Sequence, residues 1–229
     1  MGPTVANATP APRPERVVLD GQYCRLEPLD PIKHGDDLFK AATPPDAAAR
    51  HLYLFEFAPT SRADYQIWLQ EKAASNDPLF FAVIDKATGR AVGRQTLMRI
   101  DPANRCIEIG SIYWGPDMAR TRLSTEAQYL FTKYAFDLGY TRYEWKCHAL
   151  NAPSREAALR FGFTYEGHFR RAVVIKDRIR DTTWYSIIAD EWPRLKAAYD
   201  TWLSPSNFDA KGQQKQRLSD LTRAALAAN

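Results

Sequence analysis

Between residues 79 and 114 three apolar, β-prone runs (79–85, 91–100 and 106–114) alternate with two short turns, Lys86-Ala87-Thr88-Gly89 and Asp101-Pro102-Ala103-Asn104. Turns this short join only antiparallel neighbours, because a parallel pair needs a crossover of about a dozen residues or more. After Gly115-Pro116 the apolar period changes from 2 to about 3.6, and a helix is predicted from about 123 to 138, closed by Gly139. A three-strand meander feeding directly into a helix excludes an all-helical bundle and a pure βαβ repeat.

The remaining patterning extends this frame. A first strand is expected at 23–29, helices at 32–42 and 62–75, and a strand at 142–148. A helix at 152–161, strands at 163–175 and 182–188, and a last core helix at 190–202 complete the order β-αα-βββ-α-β-α-ββ. That order predicts an α+β, or mixed α/β, sheet flanked by helices. Residues 1–16, with Pro3, Pro10, Pro12 and Pro14, read as a disordered leader, and 17–203 as one domain. Residues 204–229 read as a tail in which Leu218, Leu221, Ala225 and Leu226 recur at helical spacing. Such a short amphipathic helix is marginal alone, so it is expected to dock on its own domain or on a second subunit, giving a monomer or a homodimer.

Composition closes off several classes. At 45% hydrophobic and 25% charged residues the chain is ordinary globular material, which excludes wholesale disorder. No apolar run reaches the roughly 18 residues of a membrane span, and the N-terminal residues lack the apolar core of a secretory signal. Cys24, Cys106 and Cys147 are an odd count without a C-x-x-C pair, which argues against a disulfide framework and against a zinc site. The expected compartment is therefore the cytoplasm. The net charge of +4 attracts phosphates but falls far short of a nucleic-acid-coating polycation. The basic run Arg170, Arg171, Lys176, Arg178 and Arg180, interrupted by Asp177 and Asp181, reads as a solvated hairpin rather than an RNA surface.

Two stretches carry chemistry. A strand ending at Trp114, a short loop and a helix start near Leu123 gather free backbone N–H groups at one point, where hydrogen bonding and the helix dipole favour a phosphate. Arg120 and Arg122 add positive charge there. In the second stretch, Asn151 followed by Pro153 is good helix-start chemistry, with Ser154 in the first turn.

The motifs Arg122-Leu123-Ser124-Thr125-Glu126-Ala127 and Glu144-Trp145-Lys146-Cys147…Asn151…Ser154…Ala158…Gly162-Phe163…Glu166-Gly167 resemble the GNAT acetyltransferases. Within that family they are most similar to the ribosomal-protein N-terminal acetyltransferases and their small-molecule relatives, over residues 17–193. The resemblance implies a seven-stranded mixed sheet, splayed beside bound acetyl-CoA, and transfer of an acetyl group to a primary amine of a small molecule or a protein N-terminus. It implies a pyrophosphate site at Ala119, Arg120, Thr121, Arg122, Leu123, Ser124 and Thr125, although Arg122 stands where the family motif has glycine. It also implies that Ile112, Tyr113 and Trp114 pair with the pantetheine arm and that Asn151 contacts it. Ser154 is then expected near the thioester sulfur as proton donor, with Cys147, seven residues earlier, lining the active site. Glu144, Glu166, His148 and His168 remain open as the base, as does a water-mediated one. Acceptor pockets of the family point to 52–57, Tyr65, Trp68 and 169–175. A cofactor-binding module with little turnover and a ribosome- or RNA-associated protein are the competing expectations.

Overall fold

The computed structural model describes residue 4 and residues 8–227. Its centre is a mixed sheet of eight strands: β1 (Leu19–Asp20), β2 (Cys24–Pro28), β3 (Leu79–Asp85), β4 (Ala91–Asp101), β5 (Cys106–Trp114), β6 (Arg142–His148), β7 (Thr164–Ile175) and β8 (Arg178–Ile188). The spatial order is β1-β2-β3-β4-β5-β6-β8-β7, and every pair is antiparallel except β5–β6. The parallel pair is the one whose strands are separated by a helical crossover, α4 (Arg122–Asp137), as chain connectivity demands.

The sheet alternates side chains between two apolar layers. On one face Leu26, Phe81, Leu97, Ile107 and Tyr143 pack with Ala127, Phe131 and Ala135 of α4 and with Leu195 and Tyr199 of α6 (Trp192–Leu203). On the other, Phe80, Ala82 and Ile84 pack with Leu38 of α1 (Pro31–Ala42) and with Tyr65 and Leu69 of α3 (Arg62–Ala74). Helices α1 and α3 contact β4 and β3, while Lys146 and His148 of β6 and Arg180, Thr182 and Trp184 of β8 line the cavity described below.

Helix α4 is tied to the far edge of the sheet by a buried carboxylate. Glu126 accepts the backbone N–H groups of Gln22 (2.7 Å), Tyr23 (2.6 Å) and Cys24 (2.6 Å), which turn the chain from β1 into β2. Gly21 is required at this turn because a Cβ there would lie 2.5 Å from the Glu126 carboxyl carbon.

Four features differ from the sequence-based expectations. The sheet has eight strands rather than seven, since β1 adds a two-residue edge. Strand β8 begins at Arg178, not 182, and a short helix α2 (Ala47–Arg50) follows α1. The proline-rich leader is not free over its described part: Ala11 N–H donates to the Pro102 carbonyl (3.0 Å) and the Arg16 guanidinium to those of Ala73 and Ser75. Residues 1–3 and 5–7 of that expected leader lie outside the described residues. In the tail, α7 (Leu218–Ala227) follows the 3-10 turn Pro205–Asn207 and packs on α6 and on α5 (Ala152–Arg160). Its Leu218 is buried, and the Thr222 hydroxyl donates to the Arg160 carbonyl (3.2 Å).

Candidate active site

Strands β5 and β6 pair only from Cys106/Arg142 to Ile109/Trp145, although β5 runs on to Trp114 and β6 to His148. A bulge separates them. Between the pairs Thr96↔Gly110 and Arg94↔Tyr113, β5 carries two residues, Ser111 and Ile112, against the single Gln95 of β4. Ser111 takes a left-handed backbone conformation (φ 44°), and its carbonyl accepts from Arg94 Nη1 (2.6 Å). Such an extra residue bends its strand away from its neighbour.

Arg94 holds the bulge from below. It is only 2% exposed, pairs with Glu56, and lies 4.6 Å from the Trp68 ring centre. Tyr65 stacks on Trp68 (5.4 Å). Tyr65 and Trp68, expected at an acceptor pocket, are instead the packing around this arginine and do not line the cavity.

The divergence opens a cavity of about 440 Å³. Of the sequence-predicted site residues, Ile112, Tyr113, Trp114, Ala119, Cys147, Asn151 and Ser154 line it together. Residues 53–55 and Phe169, Ala172 and Val173 of β7 close its far end. The hairpin tip reaches over this end: Lys176 Nζ donates to the His51 carbonyl (2.8 Å) and sits 4.6 Å from the Phe57 ring centre.

Arg120, Thr121, Arg122, Leu123, Ser124 and Thr125 lie outside the cavity lining, at the start of α4. Their side chains serve the fold. Thr121 Oγ1 caps the Leu123 N–H (3.2 Å), Ser124 Oγ donates to the Thr121 carbonyl (2.9 Å), and Thr125 Oγ1 accepts from Arg160 (3.1 Å). Leu123 packs against the core. The Arg122 guanidinium, expected to face a phosphate, lies between the rings of Tyr23 and Phe208, 4.7 Å from each centre. An arginine fits where the family motif has glycine because its side chain leaves the helix mouth. Among the described residues the backbone N–H groups of Arg120, Arg122 and Ser124 have no acceptor, and Arg120 is exposed with φ 64°. Three unpaired donors at a helix N-terminus form a seat for an anion.

On the opposite wall, Asn151 Oδ1 caps the Ser154 N–H (3.2 Å). The Ser154 hydroxyl oxygen accepts from Trp145 Nε1 (3.1 Å), so its own proton is free to be donated. Trp145, given no role from the sequence, thus fixes the Ser154 hydroxyl. Cys147 is buried, with its sulfur 3.2 Å from Thr183 Oγ1, and among the described residues no imidazole hydrogen-bonds to it.

The carboxylates divide sharply. Glu144 is bound by Lys146 (2.7 Å) and Arg142 (2.6 Å), which outweigh burial and hold its pKa below the usual range. Glu166, paired with Arg142 and with Ser186 (2.6 Å), is likewise lowered. His168 pairs with Asp181 (3.0 Å) away from the cavity. His148 lines the cavity, but its Nδ1 accepts the Leu150 N–H (3.0 Å) and burial lowers its pKa. In that neutral tautomer Nε2 carries the proton, so the ring is a donor with no free lone pair.

Glu108, which the sequence reading did not single out, lines the cavity and is buried. Burial raises its pKa in spite of Lys146 (2.7 Å) and Arg99 (3.1 Å), both at Oε2. Its Oε1 has no donor among the described residues. A buried carboxylate with raised pKa and one free oxygen is suited to taking a proton.

Comparison with known proteins decides the family. The model of the acetyltransferase (GNAT) domain matches residues 25–164, more than half of the chain. The chain belongs to the GNAT acetyltransferases. A ribosomal-protein-serine acetyltransferase of Escherichia coli (strain K12) is 33% identical over 101 residues, which span 43% of this chain and 55% of that protein. A GCN5-related N-acetyltransferase from Brucella melitensis superposes with a TM-score of 0.94 at 57% identity, over 96% of this chain and 100% of that one. A probable GNAT acetyltransferase from Chromobacterium violaceum gives 0.79 at 35% identity, over 84% and 96%. The splayed β5–β6 pair of this acetyltransferase lies within the GNAT match.

Proposed function

We propose that this GNAT acetyltransferase uses acetyl-CoA to acetylate a primary amine by direct attack. The observation that carries the reading is the gap between β5 and β6 beyond Ile109 and Trp145. There β5 keeps one edge, from 110 to 114, without a strand neighbour, able to pair with an extended amide chain such as pantetheine. The residues present fit coenzyme A. The N–H groups of Arg120, Arg122 and Ser124 would hold its pyrophosphate, while Ile112, Trp114 and Asn151 would flank the arm. When bound, acetyl-CoA supplies the activated thioester.

The chain's own groups then divide the proton traffic. Glu108 Oε1 takes the proton from the attacking amine, directly or through a water, and its raised pKa keeps it from being too weak a base. His148, with its proton on Nε2, lines the cavity as a neutral donor. Ser154 Oγ–H, held by Trp145, gives its proton to the leaving thiolate. Cys147 packs against Thr183 and carries no acyl group.

The acceptor enters on the polar face of β6 and β8, beneath residues 53–55 and the β7–β8 hairpin. The test is calorimetric titration with coenzyme A, followed by thiol release from acetyl-CoA over a panel of amines. Micromolar binding with turnover of at least one amine is expected. No coenzyme A binding at millimolar concentration refutes the reading, and binding without any turnover leaves a cofactor-binding module.

A further inference from the structure

Among the described residues, one cation at the acceptor end of the cavity lacks an ion-pair partner. Of the charged groups lining the cavity, Arg50 pairs with Asp46, and Arg99 and Lys146 both pair with Glu108. Among the described residues Arg180 has no ion-pair partner. It is 8% exposed, its Nε donates to Thr182 Oγ1 (3.2 Å), and its guanidinium carbon lies 5.5 Å from the Phe55 ring centre. Among the described residues neither Nη1 nor Nη2 has an acceptor. The solvated face expected at Arg180 is therefore wrong, although Arg178, Arg170 and Arg171 of the same hairpin are exposed.

Register explains how Arg180 comes to face the cavity. On β8, Arg180, Thr182 and Trp184 share one side, and Trp184 and Thr182 stand opposite Lys146 and His148 of β6. Strand β6 ends at His148, so Arg180 is one step beyond that edge, where no β6 partner can meet it. A buried, unpaired guanidinium is costly, and protein folds keep one only where something else satisfies it.

We propose that Arg180 binds a carboxylate of the acceptor, so that the substrate is a small primary amine that also carries a carboxylate, of the amino-acid class. This rests on the acetyl-transfer reading and deepens it. The planar Nη1–Nη2 edge matches two carboxylate oxygens. One unpaired positive charge balances one negative charge, which favours a carboxylate over a phosphate dianion. Glu108 lines the same chamber, and the acceptor lies with its amine toward that base and its carboxylate toward β8. Phe55 and Val173 bound the space between.

The test uses matched pairs on the full-length protein with acetyl-CoA saturating. The standard L-amino acids, β-alanine and γ-aminobutyrate are compared with their carboxamides, and with aminoalkyl phosphates of similar length. The expected result is that the best carboxylate exceeds its amide by about 100-fold in kcat/KM, mostly through KM. Arg180→Gln should erase that ratio by raising KM for the acid alone, while Arg180→Lys should restore part of it. Amides acetylated as well as acids, or phosphates preferred over both, would overturn the proposal.

A second readout does not depend on turnover. Calorimetric binding of the N-acetyl amino acids and their amides, with coenzyme A present, should show the same preference in the wild-type protein and lose it in Arg180→Gln. Equal binding of acid and amide overturns the carboxylate site. Binding preference without thiol release from any amine instead supports the carboxylate site and refutes the acetyl-transfer reading.

Discussion

Replacing Glu126 with glutamine tests whether one buried carboxylate sets the position of the proposed phosphate-binding helix. Oε2 accepts two backbone N–H groups and Oε1 a third, all between 2.6 and 2.7 Å. A glutamine amide keeps only one oxygen, so at least one N–H donor must face an NH₂ group. Hydrogen bonds to a charged partner contribute about 1.5–3 kcal/mol each, and those to a neutral one about 1. Losing one bond and weakening two gives a destabilisation of about 4 kcal/mol. For a chain of this size that corresponds to a fall in Tm of roughly 8–16 °C. Scanning calorimetry measures it, and urea unfolding should return an unchanged m value. Glu156→Gln, at an exposed position on α5, serves as control and should stay within about 0.5 kcal/mol. Because Glu126 sits in the first turns of α4, Glu126→Gln should also weaken coenzyme A binding more than it lowers kcat. A Tm within about 2 °C of wild type would show that water replaces these bonds freely and that the β1–β2 turn does not anchor α4.

Other expectations follow from the same geometry. Ser154→Ala should lower kcat about 10–100-fold with little change in coenzyme A affinity, and Trp145→Phe should reproduce a smaller share of that loss; equal losses in kcat and cofactor affinity would refute the proton-donor role. Glu108 has its pKa raised by burial above its ordinary 4.5, so kcat/KM should climb as pH rises through that higher value, and Glu108→Gln should abolish the climb, as a rate profile reads directly. Burial opposes ionisation of Glu27, yet hydrogen bonds from Lys33 (2.5 Å), His34 (3.0 Å) and Arg25 (2.7 Å) outweigh it and hold its pKa at about 2. With the folded pKa depressed, about 3 kcal/mol of stability is present above the unfolded value of 4.5 and is lost as pH falls toward 2; Glu27→Gln should flatten Tm against pH across that window.

The meander from β3 to β5 was legible because its turns are chemically explicit, and both β3 and β5 begin and end where the pattern places them. β1 was not, since two residues carry no period. Cys147, Asn151 and Ser154 were legible through the family motif, and the cavity gathers all three. Glu108 and Arg180 were hidden for a common reason: each gains its character from partners on other strands. Glu108 looks like any solvent-facing strand residue until Lys146 and Arg99 close on it. Around Arg180 the usual polarity is inverted, with Arg180 and Thr182 buried and Ile179 exposed, so alternation read from hydropathy selects the wrong side. Glu144 fails in the opposite direction, because a promising carboxylate in sequence is fully engaged by two cations in space.

The bulge at Ser111 has a consequence for how such a site can arise or vanish. Ile109, before it, and Ile112 and Trp114, after it, contact the α4 side, while Tyr113 contacts the α1/α3 side. The extra residue is thus absorbed without exchanging the two faces of the strand. A single codon gained here leaves the hydrophobic pattern of an ordinary sheet intact and converts a closed seam into an opening. A single codon lost would let β5 and β6 zip together over an unchanged core. In a designed sheet, the same one-residue insertion, with a buried arginine to receive the displaced carbonyl, is a minimal recipe for adding a substrate passage to a scaffold.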